Sequence, residues 1–184
     1  MTAPNKPNPQ NYTLELCFAA EQITESLQFC FYDAKDNPCT ELPHGPLAST
    51  FNFQEGDTIT VKVMGSAQGK SKEVGMPNFK MAINNCTLVS IPPTSVSDLS
   101  MFDPQNAVTK IGKWGKPDIE EDEESLTVSI TTQSRKPLEV TANTGQWKIS
   151  GYLSVTETLN GKTANKLYYF DPEGSTGQGG WGPD

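Results

Sequence analysis

Between Tyr12 and Tyr32 the apolar residues fall on every second position. Leu14, Leu16 and Phe18 alternate with Thr13, Glu15 and Cys17, and after a polar turn Leu27, Phe29 and Phe31 alternate with Gln28, Cys30 and Tyr32. A period of two puts each set on one face of an extended strand, whereas a helix needs a period near 3.6. Paired as a hairpin with Phe18 opposite Leu27, the two runs bring Leu16 to Phe29 and Leu14 to Phe31, so one register places all six apolar side chains on one face. Cys17 and Cys30 then become diagonal neighbours on the other face, about 7–8 Å apart and beyond easy disulfide reach. Placement of the two runs in different sheets is the alternative.

The same period recurs along the chain. Phe51 and Phe53 precede a Glu55-Gly56-Asp57 turn and an alternating Thr58–Val63 run, which reads as a second hairpin. Phe79–Ile83 leads through Asn84-Asn85 into Cys86–Ile91, and Leu126–Ile130, Trp147–Val155 and Lys166–Phe170 complete the series. About nine short strands without a useful helical period predict an all-β fold, a two-sheet antiparallel β-sandwich of immunoglobulin-like or jelly-roll connectivity. Fifteen Gly and 14 Pro among many Thr, Ser and Asn suit strands joined by turns.

At 184 residues the chain is the size of one domain. Residues 1–10, with Pro4, Pro7 and Pro9, read as an extended arm, residues 11–173 as the sandwich, and residues 174–184 as a Gly-rich tail. Residues 112–125, rich in turn residues and like charges, read as an acidic surface loop. Met101-Phe102-Asp103-Pro104 and Tyr169-Phe170-Asp171-Pro172 both run an apolar strand end into Asp-Pro, where proline disfavours helix for the aspartate.

The net charge is −8, and removing the six carboxylates of Asp118 and Glu120–Glu124 would leave −2. Such a chain repels nucleic acid. No stretch approaches the roughly 18 apolar residues of a membrane-spanning helix. The first twenty residues lack the pattern of a secretion signal, so the expectation is a cytoplasmic protein whose four cysteines are thiols and whose two glycosylation sequons are irrelevant.

His44, the only histidine, has no second imidazole with which to hold zinc or copper, and its pairing with Cys39 as base and nucleophile would put both on one Pro-rich loop. Asp33 and Asp36 form an oxygen-rich turn that makes them the calcium candidates, although Asp serves turns by bonding its own backbone. The acidic run lacks the spaced register that wraps a calcium ion. There is no nucleophile elbow, phosphate-binding glycine loop or zinc-protease helix, so no enzymatic function and no cofactor are expected. Trp114, Trp181 and Tyr169 are the candidate binding aromatics, platforms for stacking on sugar rings or docking a partner, while Trp147 reads as core.

Three segments in order, STFNFQEGDTITVKVMG, WKISGYLSV and KLYYFDP, resemble the bacterial inclusion-body protein family that includes PixA and AidA. The chain departs from that family in lacking a clear N-terminal strand with early acidic residues and in carrying only five Met. The resemblance implies a β-sandwich, a cytoplasmic bacterial protein and high-density self-assembly, and it transfers no functional residues. The expectation is a non-enzymatic protein that forms homo-oligomers through terminal arms or edge strands. The alternative is a carbohydrate-binding, lectin-like module assisted by calcium.

Overall fold

The structure, a computed structural model, describes residues 8–39, 51–53, 55–69, 77–92, 97–122, 125–133, 137–141 and 145–170. His44, Asp171, Trp181 and the tail lie outside the described residues, as do residues 1–7 of the arm. The chain is all β, with eleven strands among the described residues: β1 Asn11–Ala19, β2 Gln28–Tyr32, β3 Phe51–Phe53, β4 Thr58–Gln68, β5 Phe79–Ile91, β6 Val108–Ile111, β7 Asp118–Glu121, β8 Ser125–Thr131, β9 Leu138–Glu139, β10 Gly145–Leu159 and β11 Lys162–Phe170. They form a β-sandwich. The first sheet runs β2-β1-β4-β8-β7 with β9 on β4, and the second runs β11-β10-β5-β6 with β3 on β10.

The β1–β2 register is the one the alternation demands, with Leu14 opposite Phe31 and Leu16 opposite Phe29. The ladder stops at Cys17–Gln28, so Phe18 and Leu27 do not pair across it. On the outer face Glu15 binds Lys62 at 3.3 Å. β1 also pairs with β4, in parallel, with Leu14 beside Val61 and Leu16 beside Val63. A parallel pair needs a long crossover, supplied here by everything from β2 to β3.

The second expected hairpin does not exist. Phe51–Phe53 pairs with β10 in the second sheet while Thr58–Gln68 lies in the first, and the turn between them, with Gly56 at φ 93°, carries the chain across the sandwich. Burial decides this. From the second sheet Phe53 packs edge-on against Tyr12 and Phe31 of the first, both at 5.3 Å between ring centroids. Phe18 stacks on Tyr168 at 4.8 Å to join the sheets at the other end. Full burial of side chains of this size contributes about 1.5–3 kcal/mol each.

Residues 112–125 are not wholly loop. Asp118–Glu121 forms an edge strand on β8, with Ile119 opposite Val128 and Glu120 opposite Thr127. All four residues are exposed, so their carboxylates stay hydrated and the like charges cost little. Asp122 closes the hairpin by accepting from the Ser125 N–H at 2.7 Å and hydroxyl at 2.8 Å. The Met101-Phe102 segment is likewise not a strand end. Met101 is fully buried, and Asp103 organises a turn by accepting from the Gln105 N–H at 2.9 Å and the Asn106 amide at 2.7 Å.

At one end of the sandwich, Glu157 on β10 is 4% exposed. It accepts from the Tyr168 hydroxyl at 2.7 Å and pairs with the Lys166 ammonium at 3.1 Å. Lys166 also donates to the Ala20 carbonyl at 2.8 Å. This cluster ties β11 to the end of β1 and satisfies a carboxylate that would otherwise be costly to bury.

Candidate functional site

Eight large hydrophobic side chains stand exposed among the described residues, and five of them, Ile91, Val108, Tyr152, Leu167 and Tyr169, share the outer face of the second sheet. Strand alternation puts them there. Gly151, Leu153 and Val155 point inward, so Tyr152, Ser154 and Thr156 point out, and on β11 Tyr168 and Phe170 are buried while Leu167 and Tyr169 are exposed. Concentration of apolar surface on one face is the usual mark of a contact surface.

The register sets two tyrosines side by side on this face. The Asn160-Gly161 turn joins β10 to β11 with both residues at positive φ, 50° and 79°, the geometry of a two-residue hairpin loop. Counting back from it sets Tyr152 directly opposite Tyr169. Thr87 lies beside Tyr152 on β5, and Lys110 beside Thr87 on β6. One row across four strands therefore reads Lys110, Thr87, Tyr152, Tyr169. Gly151 permits this approach of β10 to β5, since a Cβ there would sit 2.9 Å from Phe170 and closer still to the Thr87 carbonyl.

A β-bulge enriches the face further. The β5–β10 register shifts between Ser154 and Val155, leaving Asn84 as the extra residue on β5. Asn84 and Asn85 are consequently both exposed. Asn84 donates to Thr156 Oγ1 at 3.0 Å, and Thr156 donates to Asn165 Oδ1 at 2.7 Å, a chain that crosses three strands. Asn85 donates to Thr87 Oγ1 at 3.2 Å. Bulges concentrate at functional surfaces because they re-aim side chains.

The aromatics singled out in the sequence separate. Tyr169 is 46% exposed on β11, beside Tyr152 on this face. Trp114 is half-buried, packs on the core and bridges to Thr132 in the first sheet, so it belongs to a different place and offers little platform. Trp181 and the side chain of Trp147 lie outside the described residues. Sequence reasoning missed Tyr152, Asn84, Thr156 and Asn165. Equal spacing of Tyr152 and Tyr169 about Asn160-Gly161 is the signal in the sequence that could have found the pair.

The turn at Asp33 uses its own carboxylate. Asp33 Oδ1 accepts from the Lys35 N–H at 2.8 Å and the Asn37 N–H at 2.9 Å, and Oδ2 accepts from the Asn37 amide at 3.0 Å. These bonds hold its pKa below the usual aspartate value. Asp36 sits at φ 59° within the turn. Among the described residues no three His, Cys, Asp or Glu side chains group as metal ligands.

The four cysteines are free thiols. Burial pushes the Cys17 and Cys86 thiols up to about 12, with Glu15 adding to the shift at Cys17. Burial, then Asp33 and Cys30, raises Cys39. A nucleophilic thiol needs the opposite shift. A hollow of about 270 Å³ beside β6, lined by Lys110, Ile111, Gly112, Lys113, Thr132 and Leu138, falls below the common size of small-molecule pockets. No helix among the described residues is long and apolar enough to cross a membrane.

The fold and this surface define a two-sheet β-sandwich with an amphipathic outer face. No family model matches the sequence, and no curated protein matches it.

Proposed function

We propose that this chain is a non-catalytic binding domain that holds carbohydrate on the outer face of its second sheet. One observation carries the reading: Tyr152 and Tyr169, paired and exposed, stand in a field of neutral hydrogen-bonding side chains, Asn84, Asn85, Thr87, Thr156 and Asn165. Sugars present apolar ring faces edged by hydroxyls, and tyrosine offers both an apolar ring and a polar tip. Rigid strands hold these groups with little entropy left to lose on binding. The raised pKa values of Cys17, Cys39 and Cys86 count against these three thiols as nucleophiles, and four free thiols support residence in a reducing compartment such as the cytoplasm.

The test is a glycan array probed with the wild-type chain and with Tyr152→Ala and Tyr169→Ala, with and without calcium. Binding that each substitution weakens about tenfold or more supports the reading. Absence of binding to every glycan refutes it, and a strict calcium requirement would move the site away from this face.

Self-association is the second reading, favoured by two edge strands of opposite charge. β7 presents Asp118, Glu120 and Glu121, so it repels another β7, while β6 presents Lys110. No described strand pairs with the outer edge of either. Unlike edges of two copies are complementary. Light scattering tests this reading: a mass that falls toward monomer as salt rises from 0.05 to about 0.5 M supports it, and a monomer at low salt and high protein concentration refutes it. The described part of the arm folds back on its own chain, where the Gln10 N–H donates to the buried Asp57 at 2.7 Å.

A further inference from the structure

The outer face of the second sheet differs from the rest of this acidic chain. Among its described outward residues on β5, β6, β10 and β11 there is no carboxylate, while Lys80 and Lys110 are both exposed there. Glu157, the single acid described on these four strands, is buried on the inner side and paired with Lys166. A chain of net charge −8 thus carries a locally positive surface. The described acids of β7 belong to the other sheet, about one sheet spacing or 10 Å away, and hydrated charges at that separation are partly screened at physiological salt.

This charge pattern selects among sugars. The hydroxyls of a neutral sugar are donors, and carboxylates are their strongest side-chain acceptors, through charge-assisted hydrogen bonds. A face built for neutral sugar gains from Asp or Glu, and the described strand residues of this one supply none. We propose that the ligand of the face is an anionic oligosaccharide, whose carboxylate or sulfate groups meet Lys110 and Lys80 while its rings lie on Tyr152 and Tyr169. The inference rests on the carbohydrate reading above.

The placement of the lysines indicates an extended ligand. Lys110 is level with Tyr152 through Thr87, and Lys80 is level with Thr158, six residues further along β10. Six residues of strand span about 20 Å. One sugar cannot reach both lysines, whereas a chain of several, charged at intervals, runs along the strands over Asn84, Asn85 and Thr156. Those neutral side chains exchange hydrogen bonds with the hydroxyls between the charges.

The experiment sets anionic polymers against neutral counterparts on immobilised wild-type protein: polygalacturonate, hyaluronate and dextran sulfate against methyl-esterified polygalacturonate and dextran, with polyglutamate as a polyanion without sugar rings. The expected result is binding to at least one anionic polysaccharide about tenfold or more tighter than to any neutral one, with polyglutamate weaker than the polysaccharide bound. Lys80→Ala and Lys110→Ala each reduce that preference about two- to fivefold, and Tyr152→Ala weakens binding to charged and neutral sugars alike. Carboxylate and sulfate sources are separated by which of polygalacturonate and dextran sulfate binds. Binding to the neutral polymers as tightly as to the anionic ones overturns the inference and leaves the carbohydrate reading intact. Polyglutamate bound as tightly as the polysaccharides overturns the carbohydrate reading, and no binding to any polymer overturns both.

Discussion

Replacing Lys166 with Met removes the cation that a buried carboxylate depends on. Glu157 is 4% exposed, its Oε2 lies 3.1 Å from the Lys166 ammonium, and its remaining described partner is the Tyr168 hydroxyl at 2.7 Å. At an effective dielectric of about 20, a pair at this distance interacts by roughly 5 kcal/mol, and breaking buried pairs costs about 3–5 kcal/mol once solvation is included. The Lys166 side chain is itself 28% exposed, which places the expected loss near the lower end, about 3 kcal/mol. Methionine keeps most of the chain length, so the loss reports charge rather than a cavity. Urea denaturation of the wild type, Lys166→Met, Glu157→Gln and the double variant measures it as a cycle. The double variant should be about 1–2 kcal/mol more stable than Lys166→Met, because a neutral amide no longer needs the cation and still accepts from Tyr168. A Lys166→Met loss below about 0.5 kcal/mol, or a double variant less stable than either single one, refutes the reasoning.

Three other outcomes follow from the structure. Gly151→Ala should destabilise the fold by about 1–3 kcal/mol in thermal or urea unfolding, since the added methyl group meets Phe170 and the Thr87 carbonyl. Cys86 is fully buried and its thiol is pushed up to about 12, so the unfolded chain releases that proton at lower pH than the folded one. Its contribution is complete below about pH 8.5 and lost as pH climbs toward the folded value, at about 1.4 kcal/mol per pH unit, and Cys86→Val should flatten the fall in stability between pH 9 and 10 by about that amount. Deletion of Asn84 removes the bulge and brings β5 back into phase, so the chain should still unfold cooperatively while glycan binding falls.

Period-two alternation was enough to read the sandwich, because it depends only on which side chains leave water. It fixed Leu14 opposite Phe31 and Leu16 opposite Phe29. Pairing between distant segments was not legible in the same way. The Phe51–Phe53 run sits close in sequence to Thr58–Val63, and closeness favours a hairpin, yet the burial of Phe53 against Tyr12 and Phe31 sends it to the other sheet. The parallel β1–β4 pair has no local signal at all, since its turn is the intervening chain. At β7, acidity hid a strand: Ile119 is the single apolar residue in Asp-Ile-Glu-Glu, too little to show a period. The binding face was half legible. Tyr169 was visible as an aromatic near a strand end, whereas Tyr152 needed the Asn160-Gly161 turn as an origin for counting. Asn84-Asn85 resembled a break in β5 and proved to be the bulge that turns two amides outward.

Chemical-shift mapping of the isotopically labelled chain during titration with the polysaccharide it binds most tightly shows whether sugar lies on the outer face of the second sheet. The largest amide perturbations should cluster at Asn84–Thr87, Ser150–Thr156, Thr109–Lys110 and Asn165–Tyr169, with β7 and the outer face of β1 unmoved. Perturbations centred on Trp114, on the Asp33 turn or on the acidic edge strand, with the Tyr152–Tyr169 row silent, would contradict that placement.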